Sequence, residues 1–159
     1  MAELPWIKEA RRFIGEREIK GPEHNPLIVQ WWKDIKRGGI KAVETPWGAA
    51  FTGAMLEHVG IRSTRFESAK SYLEWGIGLK EPAYGCVVVF TRTGGGHVGF
   101  VVGRDEKGNL LVLGGNQGDA VSIAAFSVSR VSGYRWPSGV QFDQQPLPLG
   151  SAALSTSEA

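Results

Sequence analysis

The hydrophobic pattern changes character near residue 80, and this change constrains the fold more than any other feature of the chain. Before it, apolar residues recur at helical spacing: Trp6, Ile7, Ala10, Phe13 and Ile14, then Leu27, Ile28, Trp31, Trp32 and Ile35, then Phe51, Met55, Leu56 and Val59. After it they come in short runs of strand composition, over Cys86 to Phe90, His97 to Gly103, Leu110 to Leu113, Val121 to Ile123 and Val131 to Trp136. Helices followed by a meander of strands predict an α+β domain whose helices pack on an antiparallel sheet.

Local signals mark the element ends. Asn25-Pro26 starts the second helix, with proline on its first turn, and Gly38-Gly39 closes it. The third helix spans about residues 47–59, with Thr45 as the expected N-cap, Pro46 at the first helical position and Gly60 just past the end. A short fourth helix is expected from Ser68 or Ala69 to Trp75, and Arg104 to Asn109 reads as a hairpin turn. Residues 1–137 thus form one domain. Residues 138–159 are rich in Ser, Gly, Gln, Pro and Ala, and are expected to be a disordered tail.

Composition narrows the function classes. The 159 residues are 42% hydrophobic and 21% charged, with a formal net charge of +2. No Lys/Arg run supplies a phosphate-binding stripe, so nucleic acid is not an expected partner. No stretch approaches the roughly 18 apolar residues of a membrane span. The first fifteen residues carry Glu3, Lys8, Glu9, Arg11 and Arg12 with no apolar core, unlike a signal peptide, so synthesis in the cytosol is expected. The single cysteine, Cys86, excludes an intrachain disulfide.

Two segments carry potential chemistry. A thiol nucleophile needs a helix N-terminus to stabilise its thiolate, a nearby imidazole, and a polar group to orient that imidazole. Position 48 lies on the first turn of the third helix, but holds glycine. His97 heads an apolar strand, next to Gly94-Gly95-Gly96, where close approach of backbone or substrate is possible. The strands flanking the 104–109 hairpin are antiparallel, which brings His97 and Asn116 to the same end of the sheet. On the residues alone, Asn116 serves a turn or the imidazole equally well.

Four blocks, Pro46-Trp47-Gly48-Ala49-Ala50-Phe51, Gly85-Cys86-Val87-Val88-Val89-Phe90, Gly96-His97-Val98-Gly99-Phe100 and Leu113-Gly114-Gly115-Asn116-Gln117, occur in order. Together they resemble small papain-like peptidoglycan hydrolases, the CHAP and NlpC-type amidohydrolases, and particularly a single-domain group from phages and prophages. The resemblance spans about residues 5–137. It implies a papain-like fold and cleavage of an amide bond in the peptide stem of peptidoglycan, by an endopeptidase or an N-acetylmuramoyl-L-alanine amidase. In that family the first block reads Pro-Trp-Cys-(Ala/Ser)-Ala-Phe, so Gly48 stands at the vacated nucleophile position. The family histidine maps to His97 and the orienting group to Asn116, and Trp47, Glu44, Thr45 and Gln117 become expected substrate contacts. The chain then reads as a hydrolase inactivated at one residue. It would act on the cell wall after release or delivery, its partner being bacterial peptidoglycan. A natural pseudoenzyme that binds the wall, and an antibacterial toxin with an immunity protein, are the alternatives.

Other tempting residues have plainer readings. Cys86, in Gly-Cys-Val-Val-Val-Phe, behaves as a small buried hydrophobe rather than a nucleophile. His24 and His58 lack catalytic company and read as surface or structural. No His/Cys/Asp cluster has zinc-ligand spacing, so no metal and no cofactor is expected. The glycine run lacks the Lys-Ser/Thr of a phosphate loop. Trp6, Trp31 and Trp75 read as helix anchors.

Overall fold

The computed structural model describes residues 3–19, 24–40, 46–92 and 95–153. Three helices precede the sheet: α1 (Pro5–Arg11), α2 (Pro26–Asp34) and α3 (Gly48–His58). A 3-10 helix, Ala69–Glu74, leads into the strands β1 (Ile77–Leu79), β2 (Val87–Arg92), β3 (Gly95–Arg104), β4 (Leu110–Gly114), β5 (Ser122–Phe126) and β6 (Val131–Trp136). The six strands form one sheet in the order β1-β6-β2-β3-β4-β5, and every neighbouring pair is antiparallel. The fold is therefore α+β, as the change of hydrophobic pattern predicts.

Each helix end has a local cause. The Asn25 side chain accepts from the Leu27 N–H and caps α2, with Pro26 in the first turn. α2 then stops earlier than Gly38-Gly39 would suggest. Lys36 adopts φ +65°, and the Arg37 N–H closes on the Trp32 carbonyl at 2.8 Å. Gly60, at φ +84°, ends α3 in the same way, with the Ile61 N–H on the Leu56 carbonyl at 3.0 Å. At the start of α3 the expectation shifts by a residue or two: Trp47 is the N-cap residue, and it offers no capping side chain. Thr45 lies outside the described residues.

α3 is buried on nearly every side between the other helices and the sheet. Its Ala49, Ala50, Phe51, Ala54, Met55 and Leu56 join Trp6, Ile7, Trp31 and Trp32 in one core with Val87, Val89, Val98, Phe100 and Leu113, which share a face of the sheet. The sheet curls strongly. Phe126 of β5 stacks on Phe90 of β2 with ring centroids 4.5 Å apart, although β3 and β4 lie between those strands. A register shift between Val101 and Gly103 helps bend β3. Cys86 is fully buried in this core, and burial pushes its thiol up to about 12.

The expectation of a disordered tail is corrected for residues 138–153. This segment returns along the sheet edge. The Arg104 N–H donates to the Pro148 carbonyl at 2.9 Å, the Gly150 N–H to the Arg104 carbonyl at 2.8 Å, and the Ala125 N–H to the Ala153 carbonyl at 3.1 Å. Leu147 and Ala152 pack on the core and Phe142 meets the Trp136 ring edge-on. Composition misleads here because a few apolar side chains and backbone bonds to an available sheet edge suffice to order the segment. The short strand β1 carries no sequence signal. It is three residues long and pairs only with β6.

Two charged clusters tie the helical layer. His58 of α3 bridges Glu9 of α1 (Nδ1 to Oε2, 2.8 Å) and Asp34 of α2 (Nε2 to Oδ2, 2.7 Å). At the end of α3, Glu57 receives Arg65 Nε at 2.9 Å and Nη2 at 3.1 Å, together with the Ser63 N–H and hydroxyl. Burial alone would raise the Glu57 carboxyl, but these donors outweigh it and hold it at about 2, against an ordinary 4.5. Because the folded value lies below the unfolded one, this contribution to stability is complete above about pH 4.5 and fades as pH falls toward 2. Thermal melts should therefore show Glu57→Gln less stable than the parent near neutrality, with the difference shrinking between pH 4.5 and 2. A constant difference across that range would remove the assignment.

Candidate functional site

His97 is the third residue of β3, paired across the β2–β3 ladder with Phe90. Its ring is 3% exposed as a residue and lies nearly parallel to Phe126, at 5.6 Å and 14°, and to Phe90, at 6.3 Å and 16°. The Arg130 guanidinium lies 5.2 Å from the Phe126 ring centroid and 6.0 Å from that of Phe90. This stack limits rotation of the imidazole and leaves its two nitrogens to set the chemistry.

The side chain of the β4–β5 loop that reaches the His97 imidazole is Gln117 rather than Asn116. Gln117 Oε1 lies 2.9 Å from His97 Nε2. Gln117 Nε2 donates to two backbone carbonyls, of Val112 at 3.1 Å and of Ser122 at 2.8 Å. Those acceptors settle which end of the amide faces them, so Oε1 must face the imidazole and accept from Nε2–H. The neutral ring then carries its proton on Nε2, and Nδ1 is the basic nitrogen. Asn116 instead takes φ +60°, the left-handed position that turns the chain out of β4. The loop does lie at the same end of the sheet as His97, but the turn uses Asn116 and the imidazole meets Gln117.

Nδ1 faces position 48. A Cβ built on Gly48 would lie 3.0 Å from His97 Nδ1, 3.1 Å from Cε1 and 3.5 Å from the Gly115 carbonyl oxygen. Gly48 is the first residue of α3, whose start has no side-chain cap, so the first-turn N–H groups are free of that competitor. A small cleft of about 30 Å³ opens at this point, lined by Pro46, Gly48, Ala49, Glu67, Ala69, Gly96 and His97. Close approach of the loop to α3 requires glycine at position 115, where a Cβ would fall 2.6 Å from Phe51 Cβ and 2.8 Å from Trp47 Cζ3.

Two of the four expected substrate contacts change. Trp47 is fully buried against Trp31 and donates from Nε1 to Glu18 Oε1 at 3.0 Å, so it is a core residue and not a groove wall. Gln117 is buried and serves the imidazole. Glu44 and Thr45 lie outside the described residues. Glu67 and Ala69 were not legible in the sequence as cleft residues. The 3-10 helix that begins at Ala69 packs beside β2 and β3 and brings both residues to His97, and no local motif announces that packing. Among the described residues no group of three His, Cys, Asp or Glu side chains could hold a metal ion, and no helix is long and apolar enough to cross a membrane.

The buried Gln117 amide makes a direct prediction. Gln117→Leu leaves the Val112 and Ser122 carbonyls and His97 Nε2 without their partner, which costs about 1–3 kcal/mol for a buried group. Urea unfolding should show a lower midpoint at unchanged slope. A neutral result would mean that water replaces the amide.

The arrangement is an imidazole with a fixed tautomer, its basic nitrogen directed at the first residue of a helix, beside uncapped N–H donors. No family model, no curated protein and no solved structure matches the chain.

Proposed function

We propose that this chain is a papain-like amidohydrolase domain for peptidoglycan, in a form that lacks its nucleophile. The observation that carries this reading is the 3.0 Å between a Cβ at position 48 and His97 Nδ1, with the opposite ring nitrogen held by Gln117. A thiol at that position would have its base, its orienting group and a helix N-terminus together. The sulfur would attack the amide carbonyl carbon, and His97 would take the thiol proton and pass it to the leaving amine. Water would then hydrolyse the thioester. The first-turn N–H groups of α3 would receive the oxyanion. Peptidoglycan as substrate, and action at the cell wall, rest on the resemblance of the four sequence blocks.

The test is release of muropeptides from purified peptidoglycan by the parent chain and by Gly48→Cys, with product masses identifying the bond. Release by the substituted chain alone supports the reading. Sedimentation of both chains with the wall, without release by either, favours a natural wall-binding pseudoenzyme, a reading that Gly48 itself motivates. A secreted toxin would share the chemistry and add a tight immunity partner, which co-purification would reveal.

A further inference from the structure

His58, the last residue of α3, meets a carboxylate at each ring nitrogen: Glu9 Oε2 lies 2.8 Å from Nδ1, and Asp34 Oδ2 lies 2.7 Å from Nε2. The two carboxylates come from different helices, α1 and α2. A neutral imidazole has one N–H and one lone pair, so it can donate to only one of them. The other carboxylate would then face the lone pair at hydrogen-bond distance. Both contacts are favourable together only when the ring carries two protons. The three helices of the layer therefore meet at one imidazolium.

The surroundings fit that state. Glu9 Oε1 accepts from Arg12 Nη1 at 2.7 Å, and Asp34 Oδ1 accepts from Gln30 Nε2 at 2.8 Å. Each carboxylate thus gives one oxygen to a partner close to it in the chain and the other to His58. Among the described residues, the charged groups facing the ring are Glu9 from α1 and Asp34 from α2, with Arg12 behind Glu9. Glu57, next to His58 on α3, is taken up by Arg65. With a doubly protonated ring, two cations balance two carboxylates; with a neutral ring, one negative charge is left over. Burial alone would lower the His58 imidazole, but the bonds to Asp34 and Glu9 outweigh it and raise it above its ordinary 6.5. Burial alone would raise the Glu9 carboxyl, but Arg12 and His58 outweigh it and hold it below its ordinary 4.5.

Loss of one proton breaks one bond without stranding a group. The freed carboxylate keeps its other partner, Arg12 or Gln30. The His58, Glu9 and Asp34 side chains are between 16% and 28% exposed, so water reaches the opened contact. Trp6, Ile7 and Ala10 stay buried and keep α1 on the core. Such a contact can open and close within a folded chain.

We propose that His58, Glu9 and Asp34 form a proton-operated clasp: closed, it fastens α1 and α2 to the end of α3, and release of one proton on alkalinisation frees one of those two helices from it. The clasp stands on its own residues and does not depend on the reading of the Gly48–His97 cleft. A group whose folded pKa is raised stabilises the fold fully below its unfolded value, and loses that contribution as pH rises through the folded one. A group whose folded pKa is lowered does the reverse. The clasp is therefore at full strength between about pH 4.5 and 6.5. It weakens on the acid side as Glu9 takes a proton, and on the alkaline side as His58 gives one up.

The test uses the full chain, which has three histidines. Long-range nitrogen–proton NMR spectra distinguish a ring with two protons from either neutral tautomer, and His58→Gln identifies the His58 signals by their loss. The expected result is a ring chiefly in the doubly protonated form at pH 6.5, with its midpoint above that value. The backbone amide signals of Glu9 and Asp34 should titrate with the same midpoint. Glu9→Gln and Asp34→Asn should each move the midpoint down, because each removes one charge while leaving an oxygen that still accepts. Urea unfolding gives an independent readout: the gap in midpoint between the parent and His58→Gln should be level from about pH 5 to 6.5 and shrink toward about pH 9. A His58 that titrates at or below 6.5 overturns the proposal. So does a midpoint that neither carboxylate variant moves, or amide signals that stay fixed while the ring titrates. A parent-to-variant gap that stays level up to about pH 9 overturns it as well, since the contact would then be an ordinary structural bond. None of these outcomes depends on whether Gly48→Cys hydrolyses peptidoglycan.

Discussion

Gly48→Cys is expected to raise muropeptide release by about 10⁴- to 10⁶-fold over the parent chain, the range lost when a hydrolase is stripped of its nucleophile. The parent retains only what binding and oxyanion contacts supply. The size of the gain depends on whether the imidazole accommodates a Cβ. At 3.0 Å from Nδ1 and 3.1 Å from Cε1, that atom is closer than an ordinary van der Waals contact, so the ring must move by a few tenths of an ångström. The 2.9 Å bond to Gln117 has room to lengthen slightly, and the stack on Phe90 and Phe126 permits in-plane sliding. The same substitution with His97→Ala should return the rate to the parent level, since the thiol then loses its base.

The thiol itself gives a second readout that needs no substrate. A cysteine beside an imidazole at a helix start has its pKa lowered from about 8.5 into a range of about 3.5–7.5. Alkylation by iodoacetamide should therefore persist at pH 6, where an ordinary thiol is almost fully protonated. Cys86 is the internal control: its thiol is fully buried and held up at about 12, so it should stay unmodified while the fold is intact. Alkylation that follows an ordinary thiol titration would mean that His97 does not pair with position 48. The catalytic assignments of His97 and Gln117 would then fall together.

Much of this architecture is legible in the sequence because single faces carry it. The helical spacing of Trp6, Ile7 and Ala10, and of Ile28, Trp31 and Trp32, corresponds to buried faces of α1 and α2. The run Val131–Trp136 is a strand over the expected residues. What failed depends on geometry that neighbours in the sequence do not encode. Asn116 and Gln117 are adjacent polar residues in a glycine-rich loop. Only the left-handed backbone at Asn116 decides that the longer Gln117 side chain reaches His97 Nε2. Trp47 sits next to the vacated position, yet α3 enters the core at such an angle that its indole turns inward toward Trp31. The segment after Pro137 has the composition of a tail, and its order comes from partners more than forty residues away, such as Arg104 and Pro82.

Trp31→Ala should have the largest effect on stability of any single substitution in the helical layer. Trp31 is 1% exposed and meets three aromatic rings: Phe13 edge-on at 5.4 Å, Phe51 edge-on at 5.1 Å, and Trp47 tilted at 5.9 Å. It joins the segment after α1, the middle of α2 and the start of α3. Truncating a buried tryptophan costs about 3–5 kcal/mol, through lost transfer energy and the cavity left behind. Each aromatic contact adds about 0.5–1.5 kcal/mol beyond burial, part of which is already inside that figure. Against a total stability of about 5–15 kcal/mol, such a loss is a large fraction. Urea unfolding followed at two wavelengths would measure it, with an unchanged slope showing that the transition remains two-state. The site should respond as well. Trp47 immediately precedes Gly48 and is held by Trp31, so loss of that ring should loosen the placement of position 48 against His97. In a Gly48→Cys background, Trp31→Ala should therefore slow alkylation at pH 6 even under conditions where the chain is still folded. A loss below about 1 kcal/mol, with alkylation unchanged, would show that Phe13, Trp47 and Phe51 close over the gap and that α3 is positioned by the sheet alone.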